Sequence, residues 1–169
     1  MKAHFALLAN YNAWANERIY AAARTLSDAD YRADRGAFFK SVHGTLNHLL
    51  VADRIWMRRF TGAGEAPSRL DAILFQDFEP LRAARQAEDE RIVGYIEGLT
   101  EDALAGLLRY RTITNPADYE QPLATTLIHF FNHQTHHRGQ VHALLTGLTG
   151  HAPSLDLILF QRESGMGLQ

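Results

Sequence analysis

The chain has 169 residues, enough for one domain that buries roughly 70% of the surface its unfolded chain exposes. It is 46% hydrophobic, 21% charged and 10% aromatic, an ordinary globular mix, and its formal net charge of −2 excludes binding to nucleic acid or anionic membrane through bulk charge. It has no cysteine, which excludes disulfides, Cys-ligated zinc, iron–sulfur clusters and a protein thiol nucleophile.

The stretch from Met1 to Ala15 imitates a secretory signal. Its apolar run, Phe5 to Ala9, is shorter than such a segment needs, and Asn10 and Asn12 interrupt it. No stretch approaches the roughly 18 apolar residues of a spanning helix, so the expectation is a cytoplasmic protein. A first helix is predicted from about Lys2 to Leu26, with Phe5, Leu8, Ile19, Ala23 and Leu26 on one face. Asn12 sits in the middle of that stripe and Asn16 on its flank. Ser27, followed by Asp28 and Asp30, reads as the N-cap of a short helical turn.

The second helix runs from about Ser41 to Phe60, with Ser41 as its cap and Val42, Leu46, Leu49, Leu50, Trp56 and Phe60 as its stripe. Thr61 to Ser68 is a loop. The third helix runs from about Asp77 to Leu99, with Pro80 tolerated near its first turn. Thr100-Glu101-Asp102-Ala103 opens a further short helix. Leu107 to Pro122 reads as a small hairpin or irregular excursion. The fourth helix runs from about Leu123 to Leu148, and Gly150 lies just past its end. The tail from Pro153 to Phe160 is apolar enough to dock back as a short helix. The predicted architecture is all-α: a single four-helix bundle over residues 1–169, with a hairpin-like excursion before the last long helix and a docked C-terminal tail.

Five of the nine histidines, His129, His133, His136, His137 and His142, fall within fourteen residues of the fourth helix. His133 and His137 are i and i+4, so their imidazoles can meet at one ion. The third ligand must come from another helix, and His48, flanking the apolar stripe of the second, is the best placed. His129 lies one turn before His133 and reads as ligand, ligand support or pocket wall. His136 and His142 point elsewhere, His43 lies on the opposite flank of the second helix's stripe, and His4, His142 and His151 have no partner at ligand spacing. Three neutral imidazoles with an open fourth position suit Zn²⁺ or Ni²⁺.

Several other chemistries are excluded. A zincin protease needs Glu after the first histidine, and here Gln134 follows His133. A di-iron bundle needs Glu-x-x-His on two helices, and no Glu stands three residues before a His. Phosphate loops, GxSxG and dinucleotide fingerprints are missing. Asn12 is a candidate pocket residue, with a hydrogen bond inside the bundle as the competing role. Gln140, one turn past His137, is a candidate pocket or ligand-supporting group. Arg138 points away from the histidines, and Asp53, among Leu46, Leu49 and Trp56, reads as half of a buried ion pair. Trp14 lies opposite its helix's apolar stripe and marks either an interface between subunits or a surface under the excursion or tail.

These residues resemble the DinB-like metal-binding four-helix bundles. The resemblance rests on Tyr11 to Arg18, on Ser41 to Leu50 continuing through Ala52 and Asp53 to Trp56, on His129 to Gln140, and on Pro153 to Ile158. It implies a metal triad of His48, His133 and His137 holding zinc or nickel, and homodimers. Similar superfamily members are bacillithiol S-transferases and a mycothiol-dependent maleylpyruvate isomerase. The resemblance therefore implies a low-molecular-weight thiol and a small electrophile as partners, and with no cysteine in the chain the sulfur must be exogenous. Two other activities are compatible with such a site: a metal-dependent hydrolase, and a non-enzymatic metal-binding stress-response protein. No single residue is assigned as catalytic.

Overall fold

A computed structural model describes residues 1–168. In chain order the elements are α1 (Lys2–Ala23), α2 (Asp28–Arg32), α3 (Val42–Thr61), α4 (Phe78–Gly98), α5 (Glu101–Leu104), β1 (Leu107–Arg111), β2 (Asp118–Pro122), α6 (Leu123–Thr149) and α7 (Leu157–Ser164). The predicted bundle, excursion and tail are all present. α1 stops three residues short of Leu26, because the N–H groups of Thr25 and Leu26 turn back to the carbonyls of Ala22 and Ala23 and tighten the last turn. Ser27 then caps α2 by accepting from the Asp30 N–H. The loop after α3 extends to Asp77, well past Ser68.

The helix ends follow from local chemistry. The Ser41 hydroxyl accepts the Gly44 N–H and opens α3. Gly150, at φ 73°, closes α6 in the left-handed conformation that glycine adopts without strain. α1, α4, α3 and α6 close a ring in which each packs against two neighbours. β1 and β2 form an antiparallel hairpin that pairs Tyr110 with Tyr119 and Arg109 with Glu120.

Two apolar clusters fill the bundle. One gathers Phe5, Trp56, Ile92, Ile96, Leu127 and Phe130; the other gathers Ile19, Leu46, Leu50, Leu81, Val141 and Leu145. Each long helix reads apolar, polar, apolar along its buried stripe. The polar middle is Asn12 and Asn16 on α1, Asp53 on α3, Arg85 and Asp89 on α4, and Gln134 and Arg138 on α6, all buried. These seven side chains form a layer across the centre.

α7 seals one flank. Phe160 lies 5.6 Å from the Trp14 ring, the Trp14 indole N–H donates to Glu163 at 3.0 Å, and the Tyr11 hydroxyl donates to the Leu155 carbonyl at 2.6 Å. Trp14 therefore packs under the tail, and its position supplies no argument for an interface between subunits.

Candidate metal centre

The long loop between α3 and α4 and the last long helix together set the histidine geometry. His48 donates its Nδ1–H to the Leu70 carbonyl at 2.8 Å; a carbonyl can only accept, so the Nε2 of the neutral ring carries the lone pair. His137 Nδ1 lies 2.8 Å from Gln140 Oε1, which fixes its ring in the same sense. The Nε2 of His48 then faces the Nε2 of His133 at 3.3 Å and that of His137 at 3.2 Å. Donor atoms of all three lie within 4.8 Å of one another.

These spacings test whether a metal fits. Tetrahedral zinc with Zn–N bonds of about 2.0–2.1 Å places its ligand nitrogens about 3.3 Å apart. The His48–His133 and His48–His137 separations match that edge. Two Nε2 atoms with no proton between them repel each other, and a cation at their convergence removes the repulsion. The donor set fits a divalent ion held by three neutral imidazoles.

The electrostatics agree. Burial pushes the His48 pKa down to about 4, against the pull of the Leu70 carbonyl. Burial, followed by the facing histidines, pushes His133 down to about 3. Burial lowers His137 as well, opposed by Gln140. Each ring is neutral at pH 7, the form that binds a metal.

Phe39 is a site residue that sequence reasoning missed. Its ring stacks on His48 at 3.7 Å between centroids and meets His137 edge-on at 5.6 Å. The chain reaches this position through a tight turn with Lys40 at φ 68°, and Gly44 makes the approach possible, since a Cβ there would collide with the Phe39 carbonyl oxygen. The histidine run gives no sign of Phe39. The Leu70 carbonyl was equally invisible, because a backbone acceptor can come from any residue type.

On the other side the site opens into a cleft of about 410 Å³. His48, His133, His129 and Trp56 line it together with the hairpin turn. His129 is exposed and lies against Trp56 at 5.2 Å, so it is placed as pocket wall. Gln140 sits behind His137 and also reaches His136 Nε2 at 3.3 Å, so it supports a ligand rather than lining the cleft. Asn12 is corrected. Its amide donates to Asp89 at 3.2 Å and accepts from Arg138, so both ends are engaged in the central layer and neither is free for a ligand. His43 is buried with its Nε2 on the Phe75 carbonyl at 3.0 Å. Gln134 donates to Asp53 and does not face the cleft.

The DinB family model matches residues 1–165. The chain belongs to the DinB family. Among curated proteins it is similar to Protein DinB of Bacillus subtilis (strain 168), with 27% identity over 147 residues that cover 82% of each chain. Family membership and the buried histidine cluster together allow a metal-binding site. Among the described residues, no helix is long and apolar enough to cross a membrane.

Proposed function

We propose that this protein is a divalent-metal-dependent transferase or isomerase that uses an exogenous low-molecular-weight thiol, with zinc or nickel held by His48, His133 and His137. The observation that carries the reading is a three-nitrogen donor set bordering an open cleft in a chain that contains no cysteine. A divalent ion there supplies one thing: it holds a bound thiol as thiolate near neutral pH.

The chain's own residues do the rest. Leu70 and Gln140 aim two of the rings. Phe39 covers His48 on one side, so access runs through the cleft bounded by Trp56 and His129. In both reaction classes the thiol proton leaves to solvent and a sulfur–carbon bond forms; in transfer the leaving group departs with its electron pair, and in isomerisation the sulfur adds to a substrate double bond and the same sulfur–carbon bond breaks after rotation, releasing the thiolate. The cleft lining contains no aspartate or glutamate to act as general base for water, which disfavours the hydrolase alternative. A reducing cytoplasm suits a thiol partner. The homodimer implied by the family resemblance belongs to the same proposal and is tested by mass in solution at micromolar concentration.

The test is a screen of metal-loaded protein against pairs of thiols and electrophiles. Loss of electrophile that requires both metal and thiol is expected. Loss without thiol would favour the hydrolase, and no loss with any pair would favour a non-enzymatic metal-binding protein.

A further inference from the structure

The cleft beside the histidines has one permanently charged side chain in its lining, Arg59. Its guanidinium sits between two aromatic rings, 4.5 Å from the centre of Trp56 and 4.8 Å from that of Tyr110. One Nη donates to the Arg111 carbonyl at 3.1 Å. Trp56 in turn touches His129, and His129 lies next to His133, so the cation belongs to the same wall as the metal ligands.

The acidic groups of the adjoining segments are already committed. Glu65 faces Arg54, Asp71 pairs with Arg69, Asp118 with Arg111 and Glu120 with Arg109. Among the described residues, no carboxylate lies within ion-pair distance of Arg59. Arg59 is half-buried and clamped between two rings, and no carboxylate of the described residues neutralises its charge. The rings hold it in place, and its unused N–H groups remain available for a planar anion. A divalent ion at the histidines would add two more positive charges to a cleft whose lining has no acidic side chain.

We propose that Arg59 is the anion anchor of this cleft, and that the small molecule brought to the metal centre carries a carboxylate. The proposal rests on the metal–thiol reading above and names the chemical class of its ligand. The sulfur end goes to the histidines and the carboxylate end to Arg59, with the Trp56 and Tyr119 rings as the walls between.

The experiment uses cobalt-loaded protein and two thiols, mercaptosuccinate and the uncharged 2-mercaptoethanol, read by the sulfur-to-metal charge-transfer band. Wild type should bind mercaptosuccinate at least about tenfold more tightly, the scale of a charge-assisted hydrogen bond. Arg59→Gln should abolish that preference while its affinity for 2-mercaptoethanol and its metal content stay unchanged. Arg59→Lys, which keeps the charge but not the fork, should retain part of it. Equal affinities in wild type, or a preference that survives Arg59→Gln, would overturn the anchor. If neither thiol produces a band, the thiol reading fails by itself. Succinate titrated by calorimetry then decides the anchor: binding in wild type that weakens about tenfold in Arg59→Gln supports it, and no difference overturns it.

Discussion

The bundle contains two buried polar clusters, and they differ in how their charges and lone pairs are matched. In the central layer, Arg85 faces Asp53 at 2.6 Å and Asp89 at 2.9 Å. Asn12, Asn16 and Gln134 distribute the remaining donors and acceptors among Asp89, Asp53 and Arg138. Two arginines balance two aspartates. Burial opposes the Arg85 charge, but Asp89 and Asp53 outweigh it and push its pKa up. At the histidine centre, on the neighbouring face of the same turns of α6, the neutral His48 and His137 rings turn their Nε2 lone pairs toward each other, and His133 Nε2 meets them there. The layer leaves the Arg85 Nε without an acceptor, but it pairs opposite charges and so acts as a structural joint; a cluster with acceptors aimed at one another is built around something it must receive.

The largest effect that would break this contrast lies in the layer. Arg85→Met leaves Asp53 and Asp89 buried without their cation, and should cost about 3–5 kcal/mol of unfolding free energy in a denaturant titration. Metal bound per folded chain should not change. A loss below about 1 kcal/mol, or a loss of metal at unchanged stability, would show that the two clusters are not separate in function.

Alanine at the histidines should reverse the pattern. His48→Ala, His133→Ala or His137→Ala should each remove most of the metal, from about one ion per chain, in elemental analysis. The metal-free protein should lose only about 1 kcal/mol of stability, the scale of one hydrogen bond such as that between His48 and Leu70. His142→Ala should change neither quantity. Full metal in His133→Ala would refute the ligand set.

The two clusters also differed in how far the sequence disclosed them. Helix periodicity and spacing bring His133 and His137 to one point, and the flank position of His48 adds the third ring. The caps at Ser41, Ser27 and Gly150 were legible because each acts on its own chain neighbours. Asp53 could be read as half of an ion pair, because a carboxylate in an apolar stripe needs a partner. Its partner could not be read: Arg85 sits on α4, where the buried stripe itself carries charges at Arg85, Glu88 and Asp89 and so does not look buried. Asn12 shows the same limit, since a stripe position shows that an amide is buried but not whom it meets. Phe39 and Leu70 reach the site from loops, where no period relates sequence to space.

Gln140 sharpens the comparison at its edge, because it is the polar side chain that aims a ligand without belonging to the layer. Gln140→Leu removes the acceptor for His137 Nδ1 and frees that ring to turn. Metal affinity should fall about 10–100-fold in a competition titration, with little change in the stability of the metal-free protein. An unchanged affinity would show that packing by Phe39 alone holds the His137 ring.

The smallest effect is the pH dependence of the metal-free protein, kept free of metal with chelator. His48 and His133 have folded pKa values of about 4 and about 3, below the ordinary histidine value of about 6.5. Above pH 6.5 neither the folded nor the unfolded chain protonates these rings, and the folded state has its full stability. As pH falls from 6.5 toward 3, the unfolded chain takes up protons that the folded rings refuse, so stability is lost across that window, the His48 part levelling off near pH 4 and the His133 part near pH 3. Burial pushes the Asp53 carboxyl the other way, up to about 7, so its protonation in the same window favours the folded state. The histidine part is therefore read as the difference between wild type and a His48→Ala/His133→Ala double variant, in which the Asp53 contribution is common to both. Between pH 7 and pH 5 the melting temperature of wild type should drop at least about 2–4 °C more than that of the double variant, the shift that about 1 kcal/mol produces in a chain of this size. Parallel curves would mean that the rings accept protons as readily in the folded state as in the unfolded one, and that burial does not hold them neutral.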